Sequence, residues 1–342
     1  MPSRDQKKKQ RRTIALAGAT GFVGRHVLAR LLEEEDLDVR CLIRDPADQR
    51  RVENVGERIS FHVGDLTRPE SLGDLMEGAW GFVNLAGSRD FWMRDRRDYY
   101  RLNEEGAGNA FRAASLAKVK KVVQVSTPLA FGVPAQLPFD EETTAGPHPS
   151  DYARSKYRGD RIAWRFYQEE RLPVTIVYLA AVIGAGDPRP TMEVRRAVEK
   201  RLPALVGAET TYTYLHVLDA AEAITRALLH RKSVGRTYLV GGERATTREY
   251  FRMIGELADV PVPTFNLPES FLIPIARGLE ALSEWTTGHR PMLPVDILKT
   301  TAAGSLLFED RRVREELDMT YRPLREALAA SVEEIRLVTN PR

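Results

Sequence analysis

The stretch "IALAGATGFVGRHVLARLL", residues 14–32, decides the fold. A short apolar run passes through Gly18, Gly21 and Gly24 into an amphipathic segment. Gly18 permits a tight turn, Gly21 lets the backbone approach a pyrophosphate, and Gly24 lets helix and strand pack closely. The amides of Phe22 and Val23 then open a helix, whose positive end favours an anion. A glycine pattern alone is also a plain structural turn. This one follows a strand, opens a helix and starts a βαβ series, which points to a dinucleotide.

Outward from that stretch, apolar runs alternate with helix-like segments. Strands are predicted at Thr13–Ala17, Val39–Ile43, Ile59–Val63, Gly81–Leu85, Lys121–Val125 and Val174–Leu179. Helices are predicted at Phe22–Glu34, Pro69–Glu77, Arg97–Ala117 and Tyr152–Arg171. Near-continuous apolar strands separated by helices mean a parallel sheet covered on both faces. Right-handed crossovers make it an α/β, doubly wound (Rossmann) sheet.

After Leu179 the rhythm loosens through the loop "GAGDPRPT". Helices are expected at Met192–Arg201, Leu218–Arg231 and Thr246–Leu257, and strands at Tyr212–His216 and Arg236–Val240. The expected organisation has three parts: a disordered basic leader over 1–12; a dinucleotide-binding domain over 13–180, with returning elements at 212–240; and a smaller, mostly helical C-terminal substrate lobe from 181–211 and 241–342. In that lobe "ESFLIPIARGLEALSEW" has apolar residues at helical spacing. A membrane-seeking segment has that pattern, but so does a core helix; it is read as a packing helix with Trp285 buried.

The chain has 342 residues, 43% of them hydrophobic and 29% charged, which suits a soluble globular protein with a sizeable core. No apolar run approaches the roughly 20 residues needed to span a bilayer. Cys41 is the only cysteine, so no internal disulfide forms and a reducing cytoplasm fits. The six histidines show no metal-ligand spacing, and no metal is expected. Residues 1–12 hold six cations and one carboxylate, a charge of +5, which leaves −2 of the overall +3 on the body. A nearly neutral body has no electrostatic footprint for nucleic acid.

Roughly twenty residues beyond the last glycine, an acidic side chain would accept the ribose hydroxyls of NAD. Here the strand "DVRCLI" runs into Arg44, then Asp45. A guanidinium suits a 2′-phosphate, so NADP is expected, with NAD as the alternative. Asp65 in "VGDLT" is placed to take the adenine amino group, with Leu66 on the ring. The "NLAG" run, Asn84–Gly87, ends the fourth strand at the carboxyl edge where ligands bind.

In "PHPSDYARSKYRGDRIAW", residues 147–164, Tyr152 and Lys156 are four apart and share a helix face. An ammonium beside a phenol lowers its pKa, and such a phenol trades protons with a substrate oxygen near neutral pH. Random placement of 11 tyrosines and 10 lysines gives about 0.3 such pairs, so spacing alone is poor evidence. Position adds weight: the pair begins the helix after the fifth strand. Ser126 and Thr127 in "VVQVSTPLAFG" offer hydroxyls at the same sheet edge.

These pieces resemble the extended short-chain dehydrogenases/reductases, with their epimerase and dehydratase relatives. The matching runs are "GATGFVG", "GDL", "NLAG", Asn103 in "YYRLNEEGAGNAFRAA", "VSTPLAFG", "YARSK" and "YLHVLDAAEAI", in order over about 13–230. The run "EDRRVREELDMTYRPLREALAASVEEI" extends the likeness to nearly the whole chain. The resemblance implies a Ser/Thr–Tyr–Lys triad of Thr127, Tyr152 and Lys156, with Ser126 beside the nicotinamide. It gives Asn103 a supporting role; a satisfied helix-face amide is the plainer reading. The set expected at the cofactor is Gly18, Thr20, Gly21, Phe22, Val23, Gly24, Arg44, Asp65, Leu66, Leu85, Ala86, Gly87, Asn103, Ser126, Tyr152, Lys156, Leu179 and Val182.

Nucleotide-sugar epimerases of this resemblance carry polar or cationic groups where this chain has Tyr178, Ala181 and Tyr212. Their loss weakens binding of a diphosphate. Phe91, Trp92 and Met93 after the fourth strand suit a flatter or greasier ligand; a loop that simply covers the core has the same residues. The expected function is therefore an NAD(P)-dependent oxidoreductase that interconverts a secondary alcohol and a ketone on a small, weakly charged substrate. The rivals are a nucleotide-sugar epimerase or dehydratase, and a non-catalytic NAD(P)-sensing module. The expected partner is a small-molecule substrate, not a membrane or a nucleic acid, and the chain is expected to be a monomer or homodimer.

Overall fold

A computed structural model of the chain describes residues 11–52, 56–88, 90–187, 190–286, 291 and 293–339. Positions 1–10 of the expected leader lie outside the described residues.

Twelve strands are present: β1 Arg12–Ala17, β2 Leu37–Ile43, β3 Ile59–Val63, β4 Gly81–Asn84, β5 Lys121–Ser126, β6 Val174–Leu179, β7 Ala181–Ile183, β8 Leu205–Val206, β9 Thr211–His216, β10 Thr237–Val240, β11 Arg244–Thr246 and β12 Asn266–Leu267, counted among the described residues. Seven of them form one sheet in the order β10-β6-β5-β4-β1-β2-β3, and every neighbouring pair is parallel. β5 and β6 are buried along their full length, as strands covered on both faces must be. The order reverses between β1 and β4, where Ala17 stands opposite Asn84. That reversal opens a crevice at the carboxyl ends of the strands.

The helices are α1 Phe22–Leu32, α2 Gly73–Met76, α3 Arg97–Tyr100, α4 Gly106–Leu116, α5 Asp151–Glu170, α6 Pro190–Val198, α7 Val217–Leu229, α8 Thr247–Ala258, α9 Glu269–Thr286, α10 Val295–Ala302, α11 Arg311–Leu317 and α12 Leu324–Thr339. α1 packs on α7 and α4 on α5. α5 starts where "PSD" predicts: Ser150 Oγ accepts from the Ala153 amide at 3.2 Å. A smaller unit joins β7, β9 and β11 to α6, α8 and α12 around a second core that includes Ile254, Leu328 and Ile335. No helix of the described residues is long and apolar enough to cross a membrane.

Four expectations need correction. Arg12 is not leader: it opens β1, pairs with Asp36 at 2.8 Å and lies over the Trp80 ring at 4.3 Å. Pro69–Glu77 is not one helix but a 3₁₀ turn, Pro69–Ser71, followed by α2. Ser71 Oγ donates to Arg68 O at 2.7 Å and accepts from the Asp65 amide at 3.0 Å, so its side chain competes with a helical ladder. Arg97–Ala117 is broken by a π turn, Arg101–Glu105. Trp285 is 85% exposed rather than buried, and Phe271, Ile275, Leu279 and Leu282 also face outward. α9 buries its other face instead, through Ala276 and Glu280, against α10.

Candidate active site

The first turn is built as the glycines require. Gly18 has φ +92°, a region that suits glycine. A Cβ there would stand 2.9 Å from the Ala86 amide nitrogen, so the turn presses on the end of β4. A Cβ at Gly24 would fall on the Gly18 carbonyl. Gly21, which has no side chain, stands at the N-cap of α1, so the positive end of the helix opens directly after the turn. A pyrophosphate fits such a cradle. Leu85 and Ala86 continue β4 to Gly87, which has φ +150°; a Cβ on Gly87 would lie 2.5 Å from Asn103 Oδ1.

At the far end of the crevice, Arg44 is exposed after β2. Asp45 is engaged locally, accepting from the Ala47 amide at 2.7 Å as the cap of a turn. Asp65 Oδ1 accepts from both the amide and the hydroxyl of Thr67 at 2.8 Å. Burial raises the Asp65 pKa, but these bonds, Arg44 and Arg68 outweigh it and hold the carboxyl below its ordinary value. Leu66 is buried beside it.

Tyr152 lies in the first turn of α5, 9% exposed, with the Phe91 ring edge-on at 5.1 Å. Lys156, one turn on, is equally buried and donates from Nζ to the Val125 carbonyl at 2.9 Å. Burial lowers its pKa and Asp160 opposes that. Thr127 follows β5 in extended conformation, and its Oγ1 accepts from the Leu129 amide at 3.4 Å. Ser126 points elsewhere: its hydroxyl donates to Asp160 Oδ2 at 2.6 Å, because successive strand residues face opposite sides. Leu179 and Val182 flank the end of β6, the first buried and the second partly so.

Sequence reasoning missed Asp160. It is 3% exposed and its pKa is pushed up to about 6, chiefly by burial, against Lys156 and hydrogen bonds from Ser126, Gln124 and Tyr178. The signal was present: Asp160 is four residues beyond Lys156, on the face that carries the pair. Asn103 sits in the π turn and donates from Nδ2 to Ser155 Oγ at 2.9 Å and to Ser88 O at 3.2 Å, so it ties the loop after β4 to α5. A second missed cluster surrounds Arg96, which lies 2.7 Å from Asp151, 3.5 Å from Asp296 and 3.7 Å from Glu280. It links the start of α5 to α9 and α10.

The departures at 178, 181 and 212 separate. Tyr178 is buried against Phe131 at 5.0 Å and serves the Asp160 network, so its identity reports on the interior. Ala181 is exposed and stands opposite Tyr214. Tyr212 donates to Thr301 Oγ1 at 3.1 Å and lines a shallow cleft of about 30 Å³. Leu129, Val133, Pro134, Leu137, Pro149 and Leu306 make most of that lining apolar.

Known proteins resemble this chain in sequence and fold. The model of the NAD dependent epimerase/dehydratase family matches residues 14–241. A protein described as a putative dihydroflavonol 4-reductase from Synechocystis is 27% identical over 93% of this chain and 92% of its own length. Sterol demethylase protein B from Methylococcus capsulatus is also 27% identical, over 94% of this chain and 97% of that protein. The crystal structure of UDP-glucuronic acid 4-epimerase from Bacillus cereus, in complex with UDP-glucuronic acid and NAD, superposes with a TM-score of 0.76 at 18% identity, covering 95% of this chain and 99% of that one; it shares the fold. With a parallel sheet, a glycine cradle and a match spanning most of its length, the chain belongs to the NAD dependent epimerase/dehydratase family.

Proposed function

We propose that this chain interconverts a secondary alcohol and a ketone on a small, weakly charged substrate, with NADP as its preferred dinucleotide. The nicotinamide supplies or accepts the hydride when bound. Gly18, Gly21, Gly24 and the amides of Phe22 and Val23 would hold the pyrophosphate, Arg44 the 2′-phosphate, and Asp65 the adenine. Thr127 holds the substrate oxygen through its hydroxyl. Tyr152 gives that oxygen a proton or takes one from it. The Lys156 ammonium favours the phenolate and binds the nicotinamide ribose.

The observation that carries this reading is the burial of Tyr152 and Lys156 one helical turn apart, with Lys156 fastened to Val125 O two residues before Thr127. The Phe91 ring edge-on to Tyr152 at 5.1 Å supports an uncharged substrate over a nucleotide diphosphate. The two relatives named for a flavonoid reductase and a sterol enzyme point the same way. Epimerisation is the second reading, favoured by the likeness to an epimerase fold. The test is NADPH oxidation with a panel of cyclic ketones, alongside isomerisation of UDP-sugars. Ketone reduction is expected; UDP-sugar isomerisation with a dinucleotide retained through purification would favour the rival.

A further inference from the structure

We propose that Asp296, at the start of α10, is a positioning residue that fixes the first turn of α5 and with it Tyr152. The proposal rests on the reading above that Tyr152 exchanges a proton with the substrate. Asp296 Oδ2 accepts from the Asp151 amide at 3.2 Å. Asp151 opens α5, and its amide is one of the donors that a helix leaves without an intrahelical partner. Tyr152 is the next residue. The carboxylate that caps this amide comes from a helix 145 positions further along the chain.

Asp296 is 2% exposed, and a carboxylate so buried is costly unless it is paired. Arg96 lies 3.5 Å from its Oδ1 and Lys299 lies 3.8 Å from it. The same guanidinium holds Asp151 at 2.7 Å and lies 3.7 Å from Glu280. Glu280 in turn accepts from the Val295 amide at 2.8 Å, at the start of α10. Tyr100 donates to the other Asp151 oxygen at 2.7 Å. A buried ion cluster gains little stability over packed hydrocarbon. What this one does is gather three helix starts around one guanidinium: α3, which Arg96 itself precedes, α5 and α10.

The next turn of α5 is held from another side. Lys156 donates to Val125 O on β5, and Ser155 Oγ accepts from Asn103 at 2.9 Å. Tyr152 thus stands between a turn tied to the sheet and a turn tied to α10. Removing the Asp296 carboxylate frees the second tie and leaves the first. The phenol then loses its register with the substrate oxygen, while Lys156 keeps its place. A misplacement of about 1 Å can cost on the order of a hundredfold in rate. A residue that only stabilised the fold would weaken turnover and cofactor binding together.

The experiment compares Asp296→Ala and Asp296→Asn with the wild type. It reads kcat on a ketone the wild type reduces, NADPH affinity by titration, and the fluorine NMR line of a fluorotyrosine placed at position 152. Asp296→Ala is expected to lower kcat about tenfold or more, to keep NADPH affinity within about threefold, and to shift or broaden the fluorine line. Asp296→Asn retains an acceptor for the Asp151 amide and should recover most of the lost kcat. Should Asp296→Ala fold poorly, Arg96→Gln, at a half-exposed residue, carries the same expectations. A smaller fall in kcat, an equal fall in NADPH affinity, an Asn variant no better than the Ala variant, or an unmoved fluorine line would overturn the proposal. A chain that reduces no ketone removes the reaction alone, and the fluorine line then decides whether Asp296 fixes Tyr152.

Discussion

Lys156 donates from Nζ to the backbone carbonyl of Val125 at 2.9 Å, so one ammonium ties α5 to the end of β5 while standing a turn from Tyr152. Lys156→Met should therefore cost twice. A buried carbonyl loses its partner, at about 1–3 kcal/mol of stability, which urea unfolding reads. NADPH affinity should also fall about tenfold or more, which calorimetric titration reads. Unchanged affinity would remove Lys156 from the cofactor site.

Arg44 is exposed beside an acidic neighbour that is otherwise engaged, since Asp45 caps its own turn at 2.7 Å. Arg44→Ser should lower kcat/KM for NADPH about tenfold or more, the scale of one hydrogen bond to a charged group, and leave NADH nearly unaffected. Steady-state kinetics with both nucleotides checks this. A wild type that prefers NADH would rule out the 2′-phosphate role.

Asp160 is faced by Gln124 and Ser126 from β5, Tyr178 from β6 and Lys156 from its own helix. Its folded pKa of about 6 lies above the ordinary 3.8, so folding favours the protonated acid. That contribution is fully present below the unfolded value and is lost as pH rises through the folded one. Asp160→Asn stays neutral and should lack this limb. Relative to the variant, the wild type should lose unfolding free energy between about pH 4 and pH 7, on the order of 2 kcal/mol. Parallel stability curves would show that Asp160 ionises as it does in the unfolded chain.

The parallel sheet was legible because its strands are buried on both faces and read as continuous apolar runs; Val174–Leu179 was placed to the residue. The cradle was legible because Gly18, Gly21 and Gly24 each answer a steric need. Periodicity does not say which side of a helix finds a partner, and so Trp285 was misplaced: the stripe on α9 is regular, but α10 covers the opposite face. Nor does spacing reveal a polar interior. Asp160 and Ser126 are 34 positions apart and meet only because α5 lies across β5. The π turn escaped notice because one extra residue in a helix leaves almost no mark on an amphipathic pattern.

The most direct measurement is turnover and NADPH affinity of Tyr152→Phe, compared with wild type on a ketone the wild type reduces. The removed hydroxyl is the proposed proton donor, so turnover should fall roughly a hundred- to ten-thousand-fold while NADPH affinity stays within about threefold. Wild-type turnover in the variant would contradict proton transfer by Tyr152.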